Sequence, residues 1–321
     1  GAGPNNGPGH PNPTDPRDTA ENQYSGSMIK GLLSTVSEPD AATLAKLTAT
    51  VEKNNTANDP ARSSAVPNQI GTTSSKIKHV IYIVRENRTF DQELGSNGRG
   101  NADPSLNLFG EESAPNTRAL ARQFTTFDNF YADAEVSANG WNWVSQTNSN
   151  PWSEEMWPSN YSGRGAPYPA ESNDPDSRAK EHDSYFWEHL SKNNISFRNY
   201  GFYTTLDKKG KAHGVDKKIL DPNTDHDFIG WSLDCPDSAR SFAPMAKNCG
   251  PKSRVDEWKS DFNKQLAKGS VPTVQLVRFG NDHTQATKVG VPTPQAYVAD
   301  NDQAIGQLVE TVSHSPIWKD T

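Results

Sequence analysis

No run of apolar residues in this chain approaches the roughly 18–20 needed to cross a bilayer as a helix. The N-terminus also lacks the charged, apolar, small-residue order of a signal peptide. Positive charge is short as well. Thirty-two Lys and Arg face 39 Asp and Glu, a formal net charge of −7 with no basic run, so there is no electrostatic footprint for nucleic acid. Hydrophobic residues are only 32% of the 321, so part of the length is expected to be solvated extension. What remains is enough for one large α/β domain or two smaller ones. Cysteine is nearly absent. Cys235 and Cys249 stand with thirteen residues between them in a stretch rich in Pro, Ser, Asp and Asn. A disulfide there would contribute about 3 kcal/mol in the chain-entropy model and would imply an oxidising compartment, secreted or periplasmic. Two unrelated free thiols are the alternative.

Against this polar background one stretch stands out, Ile77-Lys78-His79-Val80-Ile81-Tyr82-Ile83-Val84, followed by Arg85-Glu86-Asn87-Arg88-Thr89-Phe90-Asp91. Its near-continuous apolar run is the pattern of a strand covered on both faces of a parallel sheet, which belongs at the centre of a domain. The run stops in Glu86 and Asn87. At the carboxyl end of a parallel strand these are either turn residues or adjacent oxygen ligands for a cation.

Residues 1–75 read as a polar N-terminal extension with one possible helix, where Pro39-Asp40 precedes Ala41, Leu44, Leu47 and Val51 at helical spacing. Residues 76–321 read as an α/β domain with a largely parallel sheet and helices on both faces. A second strand is expected at Phe124–Tyr131, a helix face at Tyr185, Phe186, His189 and Leu190, and a third strand at Ile195–Gly201. A helix near Val255–Leu266 then leads to a fourth strand at Val271–Phe279. Near 202–250 the chain is irregular, as a loop-rich insertion would be. At the end, Ala299-Asp300-Asn301-Asp302 reads as the cap of a last helix through Ile305, Leu308, Val309 and Val312.

Two more segments carry candidate chemistry. Ser137, in Ser-Ala-Asn-Gly, is placed to open a helix, where unpaired N–H groups and the dipole would favour an alkoxide and a phosphoryl oxygen. By spacing alone a serine there is more simply a cap. Asp282-His283, just past the fourth strand, could ligate a cation or move a proton, or simply form a hydrogen-bonded turn. His182, His189, His213, His226 and His314 show no ligand spacing. Most of the eight tryptophans, including Trp141, Trp143, Trp152 and Trp157, are expected to pack in cores.

Lys-His-Val-Ile-Tyr-Ile-Val-Arg-Glu-Asn-Arg-Thr-Phe-Asp resembles the opening signature of the phosphoesterase family that includes bacterial phospholipase C and acid phosphatase enzymes, in the alkaline phosphatase superfamily. Phe-Tyr-Ala-Asp-Ala-Glu-Val-Ser-Ala-Asn-Gly and Asn-Asp-His-Thr are similar to its nucleophile and histidine segments. Trp141 departs from the histidine that some members carry. The resemblance implies an alkaline-phosphatase-like fold and metal-dependent hydrolysis of a phosphate monoester, diester or phospholipid through a phosphoserine on Ser137. Glu86, Asn87, Ser137 and His283 would hold a divalent metal ion, His283 would assist catalysis, and Asn139 and Asp282 would contact substrate. It also implies a further strand with acidic ligands beyond Thr321, so the chain is expected to be the N-terminal portion of a longer protein, its remainder a possible partner. The rival expectation is a non-catalytic module holding a glycan or phospholipid headgroup on the same scaffold.

Overall fold

The computed structural model describes residues 33–54, 76–171, 185–239 and 249–321. It divides into two units at Ile70 and Gly71, each described by itself. In the first, helix α1 (Ala41–Asn54) starts where Asp40 Oδ1 accepts from the Thr43 N–H at 2.7 Å. That bond holds the Asp40 carboxyl below its ordinary value. Leu44, Leu47 and Val51 fall along one stripe of α1, as their spacing predicts.

The second unit runs β1 (Val80–Val84), α2 (Phe90–Leu94), α3 (Pro115–Gln123), α4 (Ser137–Gln146), α5 (Pro151–Tyr161), α6 (Phe186–Lys192) and β2 (Phe197–Tyr200). It continues through β3 (Thr204–Leu206), β4 (Ala212–Gly214), α7 (Arg254–Lys268), β5 (Val274–Arg278) and α8 (Pro294–Ser313). The main sheet has the order β1-β5-β2 and is parallel throughout, with Val80 opposite Val274, Val84 opposite Arg278 and Tyr200 opposite Val277. The chain is thus mixed α/β.

Side chains alternate along β5 and divide the core. Val274 and Leu276 join Trp141 of α4 with Trp187 and Leu190 of α6 on one face. Val277 joins Trp258 and Phe262 of α7 with Ile305 and Leu308 of α8 on the other. Helices therefore cover both faces of this sheet. Gln275 is buried among them because its Oε1 accepts from the Trp258 indole N–H at 2.8 Å.

Three expectations need correction. The central strand is β5, buried at all five positions, whereas β1 is an outer strand among the described residues and only partly buried. An apolar run reports covered faces. Occupied edges are made by backbone hydrogen bonds, which leave no side-chain signal. Phe124–Tyr131 forms no strand, and Phe127, Phe130 and Tyr131 lie exposed. Among the described residues its β-prone composition has no neighbouring strand to pair with.

The third correction concerns Asp300-Asn301-Asp302, which sit inside α8 and are buried. The helix is capped at Thr293, whose hydroxyl accepts from the Ala296 N–H at 3.2 Å. Asp302 instead caps α3, accepting from the backbone N–H groups of Asn116 at 2.9 Å and Thr117 at 2.7 Å. Asp300 accepts from the N–H groups of Asp237 at 2.7 Å and Ser238 at 3.0 Å. A carboxylate written as a cap in the sequence is a cap here too, but for a different segment.

The 202–250 stretch is more regular than expected. β3 and β4 form an antiparallel hairpin, and Asp221–Asn223 make a single 3-10 turn. Cys235 and Cys249 form a disulfide. Buried Arg254, at the start of α7, gathers this loop by donating to the carbonyls of Ile229, Gly230, Ser232 and Cys235 and to the Asp237 carboxylate.

Asp302→Ala removes the acceptor for two backbone N–H groups and for Asn116 Nδ2, which lies 2.8 Å away. The expected loss is about 2–3 kcal/mol, read as a lower urea midpoint. A loss under about 0.5 kcal/mol would show that this cap does not hold α3.

Candidate active site

Because the three strands are parallel, their carboxyl ends share one edge. Val84 lies opposite Arg278, so Glu86, two residues past Val84, emerges beside the end of β5. Glu86 Oε1 there accepts from Arg278 Nη2 at 3.1 Å. The other arm of the guanidinium donates to Glu171. The Arg278 side chain is 4% exposed and lies between two indoles, its Cζ 4.1 Å from the ring centre of Trp141 and 4.5 Å from that of Trp231. Cation–π attraction on both faces and carboxylates at the edge hold one charge in one place.

Ser137 and His283 connect to this charge through its two indoles. Ser137 is the first residue of α4, one helical turn before Trp141. Its half-buried hydroxyl makes no hydrogen bond among the described residues. Burial pushes the Tyr161 phenol up, against hydrogen bonds to Tyr168 and to the Ala138 backbone. His283 packs its ring edge-on against Trp231, centroids 5.0 Å apart. Its Nδ1 lies 2.9 Å from the Thr284 carbonyl, which can only accept, so Nδ1 is the donor in that bond and Nε2 is the ring nitrogen it leaves unengaged.

The remaining candidates lie differently. Asn87 is exposed on the turn, after a cis Glu86–Asn87 peptide bond. Asn139 is buried, its Oδ1 accepting from the Val136 N–H at 3.3 Å and its Nδ2 donating to Glu154 at 3.1 Å, so it orients the start of α4. Asp282 is buried beneath the site, where Arg85 Nη2 donates to it at 3.2 Å and to Glu93 at 3.1 Å. Burial pushes the Asp282 carboxyl well up against the pull of Arg85, and Glu93 adds to the rise.

Arg278, Glu171, Tyr161, Tyr168 and Trp231 had not been singled out. One signal was present for the first of them, since Arg278 is a lone charge in an otherwise apolar strand segment. Glu171 carries no such signal. Burial pushes its carboxyl up, Arg278 pulls it down and Glu86 raises it. Tyr168 donates to it at 3.2 Å, and burial keeps that phenol protonated.

Among the described residues this donor set does not fit a divalent metal. Glu86, the one carboxylate among the expected ligands, is already paired with Arg278, and Asn87 is turned to solvent. Two groups of three His, Asp or Glu side chains do bring ligand atoms within 4.8 Å of one another, namely His213, Asp221 and His226, and Asp225, Asp227 and Glu257. Neither includes Glu86 or His283. Among the described residues no helix is long and apolar enough to cross a membrane. Comparisons of the chain with family models, with curated proteins and with solved structures find no match.

Arg278→Met is expected to destabilise the fold by about 3–5 kcal/mol at neutral pH, because two carboxylates lose their only shared counter-charge. Without the guanidinium the Glu171 carboxyl rises further above its ordinary value. The folded variant then binds a proton that the unfolded chain has released, so the penalty grows as pH rises past the ordinary carboxylate range and shrinks below it. Urea midpoints of both proteins between about pH 4 and 8 check this. A pH-independent difference would locate the role of Arg278 in its stacking alone.

Proposed function

We propose that the chain hydrolyses phosphate esters, with Ser137 as the nucleophile. The observation that carries this reading is the placement of Ser137, whose hydroxyl, unbonded among the described residues, opens α4 one turn before Trp141, the indole stacked on Arg278. The N–H groups of a helix's first turn suit a phosphoryl oxygen. The resemblance of the Glu86, Ser137 and His283 segments to phosphoesterases supports the same reading.

In the proposed reaction Ser137 Oγ attacks phosphorus, its proton passes to a base, and the ester P–O bond breaks as the new one forms. His283 Nε2 is the group suited to carry the proton to the leaving oxygen. Water then cleaves the phosphoserine and releases phosphate, or a monoester when the substrate is a diester. Buried Arg278 holds Glu86, Glu171 and the indoles in register around these groups, as a positioning residue. Phosphoesterases of this kind use a divalent metal to neutralise charge on the phosphoryl group. The disulfide supports an oxidising compartment, secreted or periplasmic.

One observation favours a second reading. Glu86 is neutralised within the protein, and partly exposed Trp231 lies over the same guanidinium, as in a site that holds a phosphorylated or glycan ligand without cleaving it.

Hydrolysis of p-nitrophenyl phosphate and of bis(p-nitrophenyl) phosphate separates the two, with divalent metals added and then chelated. Turnover is expected in the wild type, with loss of at least about 100-fold in Ser137→Ala. A phosphoryl group on the Ser137 peptide should be trapped by acid quench and mass spectrometry. Binding of phosphate without turnover under any metal would transfer the site to the second reading.

A further inference from the structure

The two histidines of the 202–250 stretch, set aside in the sequence for want of ligand spacing, converge in the fold. His213 lies on β4, Asp221 opens the 3-10 turn, and His226 follows three residues after that turn. Ligand atoms from all three lie within 4.8 Å of one another. We propose that His213, Asp221 and His226 bind a divalent ion of the Zn2+ class, which clasps the β3–β4 hairpin to the 221–223 turn.

The local geometry is built for convergence. A Cβ on Gly214 would meet the Asp221 backbone N at 2.8 Å, so only glycine lets the turn press against the strand next to His213. Asp221 Oδ1 accepts from the Gly214 N–H at 2.8 Å, which aims the carboxylate at the hairpin. His226 Nδ1 lies 2.6 Å from the Ala212 carbonyl and 4.0 Å from Asp221 Oδ1, so the backbone holds the ring at the edge of the cluster and, in a neutral imidazole, Nε2 is the nitrogen open to an ion. Backbone fixation of one ring nitrogen is how ligating histidines are commonly oriented.

Distances and charge agree with this. Donor atoms around a tetrahedral Zn2+ stand roughly 3.3–3.5 Å apart. His213 Nδ1 and Asp221 Oδ1 stand 3.3 Å apart in a hydrogen bond that a bound ion would replace. The two imidazoles, with centroids 4.6 Å apart, would repel if both were protonated. Asp207 Oδ2 stands 3.6 Å from His213 Nε2, so it can accept from that nitrogen and leave Nδ1 for the ion. Lys217 Nζ, 3.8 Å from Asp221 Oδ2, belongs to a side chain 62% exposed that can swing into water. Two imidazoles and one carboxylate leave a fourth position for water, a donor set that suits Zn2+ over Mg2+ or Ca2+.

Chelated, dialysed full chain is titrated with Zn2+ alone by calorimetry, as wild type, His213→Ala, His226→Ala and the double variant. The wild type should take up one equivalent that each single variant weakens at least about tenfold and the double variant lacks, with p-nitrophenyl phosphate turnover equal in all four. Independently of any variant, Zn2+ should shield His213 and His226 of the wild type from diethyl pyrocarbonate, mapped by mass spectrometry, while exposed His314 reacts as before. Equal uptake by wild type and double variant, or equal labelling with and without Zn2+, overturns the site.

Discussion

The candidate site depends on one buried positive charge. Arg278 ends the only strand with a partner on each side among the described residues, so its guanidinium starts from the most firmly held backbone of the sheet. Removing such a charge from water is costly unless it is paired. The pairing is what gathers Glu86 from the end of β1, Glu171 from the segment after α5, and the indoles of Trp141 and Trp231. Since Trp141 belongs to α4 and Trp231 packs on His283, both predicted catalytic segments are positioned through the same side chain.

A second polar network ties together the segments that follow the same strand ends. Asp237 is fully buried and accepts from Arg254, from the Asn281 backbone and from Asn301, while Asn301 accepts from Arg85. Arg85 in turn joins Glu93 and Asp282. A half-satisfied network of this kind would be worse than an apolar core, and nearly every member here is bonded. The 278–284 segment that carries His283 is therefore bonded to α8 and to Asp237 of the disulfide-bearing loop.

Much of this was legible in local pattern. The strands at 80–84, 197–200 and 274–278, the helices at 186–192 and 254–268, and the parallel mixed architecture follow from apolar periodicity and breaker residues. The strand-end positions of Glu86 and Asp282-His283 follow from the same signal, and the cysteine pair was one of two readings left open. Phe124–Tyr131 was misread because β propensity describes a surface that needs a neighbour, and none of the described strands lies there. Asp300 and Asp302 were misassigned because a buried carboxylate inside a helix and a cap on that helix are spelled alike.

Periodicity along the chain specifies which residues face a core and where a strand must stop, since burying apolar faces is a local demand with a local spacing. It cannot specify which charge answers which. Glu86 and Arg278 are 192 residues apart and meet only because β1 and β5 pair in parallel, in one register. The convergence of His213, Asp221 and His226 likewise arises only when a hairpin and a turn fold against each other. Coulombic and hydrogen-bonding partners act over a few ångströms in space, whatever their distance along the chain, and that is why the tertiary structure alone decided them.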